Sequence, residues 1–138
     1  MSAWRQLSWP AKLWGAGKSK SLDMSRVKIL WIKDKYLQQI LSGRKTVEIR
    51  VGYPNITRLQ SGDTLLLNEK HSYTITAIRR YPDFATMVAA ENPADVAPDI
   101  SDRAGLLDAC RTLYSPEKEQ LGVIALQIAP APPTPDPA

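Results

Sequence analysis

Gly43-Arg44-Lys45-Thr46-Val47-Glu48-Ile49-Arg50-Val51 marks the point where a helix gives way to a strand. Upstream, Leu37, Ile40 and Leu41 form one apolar helical stripe behind Asp34, an N-cap residue type. Gly43 stands just past the stripe, where a chain leaving a helix favours a left-handed backbone. From Lys45 the sequence alternates and is rich in β-branched residues, the pattern of a half-buried strand. Regular pleating then puts Thr46, Glu48 and Arg50 on one face and Lys45, Val47 and Ile49 on the other. A lysine among apolar neighbours must pair or lose its charge, because stripping water from an ammonium is costly. Glu48 and Arg50 either pair with each other or admit a polar ligand between them. Chemistry is expected here.

Outward from this junction, VKILWI at 27–32 predicts a short strand buried on both faces. Residues 52–63, with Pro54 and Asn55, predict a long loop closing at Ser61-Gly62-Asp63. TLLLN at 64–68 and SYTITAIRRY at 72–81 predict two strands joined tightly through Glu69-Lys70-His71. Asp83 is placed to cap a short helix through Phe84, Met87 and Val88 that stops before Pro93. Asp102 is placed to cap another, with Leu106, Leu107, Cys110 and Leu113 inward. LGVIALQI at 121–128 predicts the last strand. Three strands in succession over 45–81 argue against a doubly wound topology. The order β-α-β-β-β-α-α-β predicts an α+β fold, a small, mostly antiparallel β-barrel with flanking short helices.

The 138 residues suffice for one domain, and a hydrophobic fraction of 43% supplies its core. That domain is expected over 27–129. Residues 1–26, a basic extension carrying Trp4, Trp9 and Trp14, are expected to be unstructured, and 130–138 form a Pro-rich tail unable to join a sheet. Of the net charge of +4, the first 24 residues hold +3 through Arg5, Lys12, Lys18 and Lys20 against Asp23. The remainder holds only +1, too little for many phosphate contacts. One cysteine, Cys110, and one histidine, His71, exclude a disulfide framework and a Cys/His zinc centre. Cys110 falls on the apolar stripe of its helix and is expected to be packed and inert. No apolar run approaches the roughly 20 residues of a membrane span, so a soluble, cytoplasmic protein with no membrane partner is expected.

Gly43-x-Lys45-x-x-Glu48-x-Arg50 resembles the G-x-K-x-x-E-x-R signature of the ASCH domain, a small barrel of the PUA-like superfamily. The similarity extends over about residues 27–129. It implies a cleft on the barrel that holds RNA, a nucleoside or a nucleobase. Some small bacterial members are amidohydrolases that remove the acyl group from N4-acetylcytidine and related N4-acylcytosines. Their sites use a motif lysine, a threonine three residues later and a glutamate after the central strands. Lys45 matches the first, and Glu91, in Ala89-Ala90-Glu91-Asn92, corresponds to the third. The middle position departs, because Glu48 stands where those enzymes carry threonine, and Thr46 would replace it only by turning against strand alternation.

Amide hydrolysis needs a nucleophile at the carbonyl, stabilisation of the oxyanion and a proton for the leaving amine. These residue types assign Glu48 as general base for a water and Lys45 as the cation at the oxyanion. Lys45 is alternatively the nucleophile itself, if burial and Arg50 discharge its ammonium. Glu91 binds the base edge or passes the proton. Thr46, Arg50, Tyr53, Asn55 and Asn68 are the expected substrate contacts, and no metal or other cofactor is required. The expected partner is a modified pyrimidine nucleoside or base, with RNA possible. The alternatives are a non-catalytic RNA-binding module and a ribonuclease using Lys45 with a carboxylate.

Overall fold

The computed structural model describes residues 26–100 and 102–132. The Trp-containing extension and most of the Pro-rich tail lie outside the described residues. The elements in chain order are β1 (Val27–Leu30), α1 (Asp34–Leu41), β2 (Val47–Val51), α2 (Pro54–Thr57), β3 (Thr64–Leu67), β4 (His71–Tyr81), α3 (Phe84–Ala90), α4 (Pro93–Val96), α5 (Arg103–Leu113), α6 (Pro116–Glu119) and β5 (Val123–Pro130). The strands form one sheet in the order β1-β3-β4-β5-β2. Three of its ladders are antiparallel and β1–β3 is parallel, the return between them being made by α1, β2 and α2. The expected α+β, mostly antiparallel architecture is the one found. The barrel is curled but open: β1 and β2 are its two edges, and the Arg50 guanidinium on β2 reaches the Trp31 carbonyl just beyond β1 at 2.9 Å.

Residues opposite each other across a ladder share a face, so the register sorts the sheet into two sides. Leu126, Ile124, Ile128, Ile75, Tyr73 and Leu65 face an inner cluster completed by Leu37 and Ile40 of α1 and Ile56 and Leu59 around α2. Val47, Val51, Val123 and Ala125 face an outer cluster with Phe84, Met87, Leu106 and Cys110 of α3 and α5. The first four residues of β5 are therefore all buried, as a strand covered on both faces requires. A bulge between Ile75 and Ala77 shifts the alternation of β4: Ile75 opposes inner Ile128, but Arg79 opposes outer Ala125.

Several local expectations are corrected. VKILWI is not buried on both faces. As an edge strand, β1 leaves Val27, Ile29 and Trp31 exposed and buries Leu30 and Ile32. Asp34 is the first helical residue of α1, and Lys33 occupies the N-cap without a side-chain bond. β2 begins at Val47, so Lys45 and Thr46 precede it. Residues 52–63 are not all loop. Pro54, Pro93 and Pro116 each open a one-turn helix, the position where a missing N–H costs nothing. The last strand runs to Pro130, opposite Tyr73, and the Ala131 N–H donates to Ser72 O at 3.0 Å, so the tail's first residues do join the sheet. Asp83 and Asp102 cap α3 and α5 as expected, accepting from Thr86 N and Gly105 N. No helix among the described residues is long and apolar enough to cross a membrane.

Candidate functional site

The site starts from the end of α1. Gly43, at φ +83°, turns the chain so that Arg44 and Lys45 donate their N–H groups back to Gln39 O, both at 3.0 Å. Thr46 then donates to Asp95 O and accepts from Ile128 N, and the strand begins only after it. Lys45 consequently escapes strand alternation. Its side chain is buried and paired with Glu48, as a lysine among apolar neighbours requires.

The Lys45 ammonium is 4% exposed and has three acceptors: Val47 O at 2.6 Å, Val96 O at 2.7 Å and Glu48 Oε1 at 3.1 Å. Glu48 Oε2 accepts from Arg50 Nε at 2.7 Å. Each oxygen of one buried carboxylate therefore holds one cation. Burial pushes the Glu48 carboxyl upward, but Lys45 and Arg50 together outweigh it and hold the group below the usual 4.5. An ammonium with three good acceptors has spent its three protons and has no lone pair to offer. That geometry suits a fixed positive field better than a nucleophile.

These groups lie on the wall of a cavity of about 320 Å3, at the gap that the unclosed sheet edges leave. Trp31, Tyr36 and Tyr114 supply aromatic lining, with Ile49, Leu106 and Leu113 among the apolar remainder. Its size matches one small heterocyclic ligand. Cys110 also lines it, its thiol pushed up to about 11 by burial and so protonated near neutrality, in keeping with an inert role. Among the described residues no group of three or more His, Cys, Asp or Glu converges as metal ligands would.

The ASCH domain model matches residues 30–132 of this chain. The chain belongs to the ASCH domain family. Two solved structures share its fold: the hypothetical protein PH0355, with a TM-score of 0.71 and 24% identity over 77% of this chain and 99% of that one, and protein PF0455 from Pyrococcus furiosus, with a TM-score of 0.62 and 25% identity over 77% and 96%. No curated protein matches the chain.

This ASCH domain brings Lys45, Glu48 and Arg50 together and leaves the other expected site residues elsewhere. Glu91 does not line the cavity. It lies against the outer face, where Arg79 donates Nε and Nη2 to it at 2.6 and 2.9 Å and the Tyr81 hydroxyl at 2.5 Å. Its partners Arg79 and Tyr81 stand on central β4 opposite Ala125 and Val123, whereas Glu48 stands on edge strand β2 opposite Leu126. Thr46 uses its backbone to tie α4 to β5 and does not line the cavity. Tyr53 packs between the clusters and lies 5.5 Å from the Lys118 ammonium, and Asn55 is exposed on α2. Asn68 clasps the Ile32 peptide, accepting from its N–H at 2.7 Å and donating to its carbonyl at 2.9 Å, and thereby fixes the backbone beside Trp31. Sequence reasoning missed Trp31, Tyr36 and Tyr114. Trp31 carried a signal, as a large aromatic ending an edge-strand segment.

Proposed function

We propose that this ASCH protein is a cytoplasmic amidohydrolase that removes the acyl group from N4-acetylcytidine and related N4-acylcytosines. The observation that carries the reading is the 3.1 Å contact of Lys45 and Glu48 on the wall of an aromatic-lined cavity sized for one base. Glu48, ionised at neutral pH, takes a proton from water as the water oxygen bonds to the acyl carbon. The carbonyl electron pair moves onto oxygen in the field of the Lys45 and Arg50 charges. The C–N bond then breaks with its electrons going to N4, which recovers the proton from Glu48, and cytidine and the carboxylic acid leave. A carboxylate held below its ordinary pKa is a weak base. The delocalised cytosine amine compensates, being a far better leaving group than an alkyl amine. Glu91 has no direct part in this scheme and supports the fold around α3 instead.

One observation favours a second reading, a base- or RNA-binding module without chemistry: all three Lys45 protons are already engaged. Incubating the protein with N4-acetylcytidine and following cytidine by its ultraviolet spectrum separates the two. Product formation supports the hydrolase. Binding without product leaves the module.

A further inference from the structure

Two of the strongest hydrogen-bond donors around the cavity are already committed. Lys45 has given its three N–H groups to Val47 O, Val96 O and Glu48. Arg50 has given Nε to Glu48 and Nη2 to the Trp31 carbonyl. Its remaining N–H groups belong to a side chain that is 23% exposed, and water can satisfy them. The Cys110 thiol is a weak donor. Trp31, Lys33 and Tyr36 also line the cavity with side-chain donors that make no hydrogen bond among the described residues, and so does Tyr114, which is set apart by standing where the Glu48 and Arg50 charges act on its hydroxyl.

Tyr114 is also held firmly. It is the C-cap of α5, where its N–H donates to Cys110 O at 3.1 Å. Its ring stacks on fully buried Phe84, with centroids 5.7 Å apart and planes 28° from parallel. Burial is the main influence holding its hydroxyl protonated, and the Arg50 and Glu48 charges act on the same group. An O–H on a fixed ring beside an apolar wall is arranged to meet an acceptor, because a ligand filling the cavity displaces whatever water would otherwise satisfy it.

We propose that the Tyr114 hydroxyl is the donor that takes the ligand's carbonyl oxygen, which, on the function proposed above, is the acyl oxygen of an N4-acylcytosine. A neutral, pre-aligned donor strengthens as charge develops on that oxygen, so its effect falls on the transition state. It supplies the specific hydrogen bond that Lys45, with its protons committed, supplies only as a field.

The test is Tyr114→Phe, which removes one oxygen and keeps the ring stacked on Phe84. The kcat for N4-acetylcytidine should fall about 100-fold with KM within a few-fold, the split expected of a transition-state donor. Thermal unfolding should stay unchanged. Retention of kcat within about 3-fold overturns the Tyr114 assignment and leaves the hydrolase reading intact. Binding of N4-acetylcytidine, followed by calorimetry, makes the two failures distinguishable. If the unsubstituted protein binds without turnover and Tyr114→Phe binds about 10-fold more weakly, the hydrolase reading falls and the donor role stands. Equal binding in that case overturns the donor role. No binding by the unsubstituted protein overturns both.

Discussion

Two buried glutamates, each gripped by an arginine, sit on opposite faces of this sheet and have opposite prospects. Glu91, on the outer face, is closed on itself: Arg79 takes both oxygens and Tyr81 adds a third bond. Glu48, on an edge strand, has one oxygen on Arg50 and the other on Lys45, beside a cavity. The chemical types are nearly the same. What separates them is topology, because a carboxylate on the edge of an unclosed barrel keeps a side for a ligand, whereas one pinned between a helix end and a central strand does not.

The largest expected effect sharpens that contrast directly. Glu48→Gln keeps the shape of the side chain and removes the base, and turnover of N4-acetylcytidine should fall about 1,000-fold. Glu91→Gln should leave it within a few-fold once the protein is folded. An equal loss in both would mean that the two faces communicate or that Glu91 reaches substrate. Stability should divide differently. Lys45→Met leaves the Val47 and Val96 carbonyls unpaired and Glu48 half-compensated, a cost of about 3 kcal/mol or more. Arg79→Ala vacates a side chain that is 36% exposed, so water can reach Glu91 and the cost should be about 1–2 kcal/mol. Denaturant unfolding of the two variants measures the difference. A milder loss in Lys45→Met than in Arg79→Ala would show that Lys45 is no keystone of the β2–α4 junction.

Much of this was legible in the sequence because it rests on local rules. Gly43 ends α1, Asp83 and Asp102 cap their helices, and the strands around the 64–81 hairpin follow from alternation. Glu48 and Arg50 share a face because they are two apart on one strand. The start of β2 was read two residues too far upstream: at the helix exit the backbone still bonds to Gln39, and pleating has not begun. Glu91 was placed in the site by the family resemblance, and its actual position is set non-locally, by Arg79 and Tyr81 of β4. The bulge at Thr76 shifts the parity of β4 by one, and neither Thr76 nor its neighbours announce it in sequence. Tyr114 was invisible as a site residue, because only the packing of α5 across the open sheet edge brings a helix-terminal tyrosine to Glu48.

The smallest predicted effect is also the most discriminating electrostatically. Both carboxyls sit below the usual 4.5: Glu48 because Lys45 and Arg50 overcome its burial, Glu91 chiefly through its hydrogen bond from Arg79. A folded-state pKa below the unfolded value means that the unfolded chain binds the proton more readily. The stabilisation is therefore complete above pH 4.5 and lost as pH falls through the folded values. Unfolding free energy should decline in acid, and each Glu→Gln variant should show a shallower slope than the parent. Salt should tell the two apart. Arg79 is 36% exposed against 4% for Lys45, so roughly 0.5 M salt, with a Debye length well under 10 Å, should blunt the Glu91 contribution more. Glu48 and Lys45, 8% and 4% exposed, should keep most of theirs. If salt instead erased the acid dependence that Glu48→Gln removes, the edge site would be as wet as the outer face, and the dry pairing on which its proposed chemistry depends would be gone.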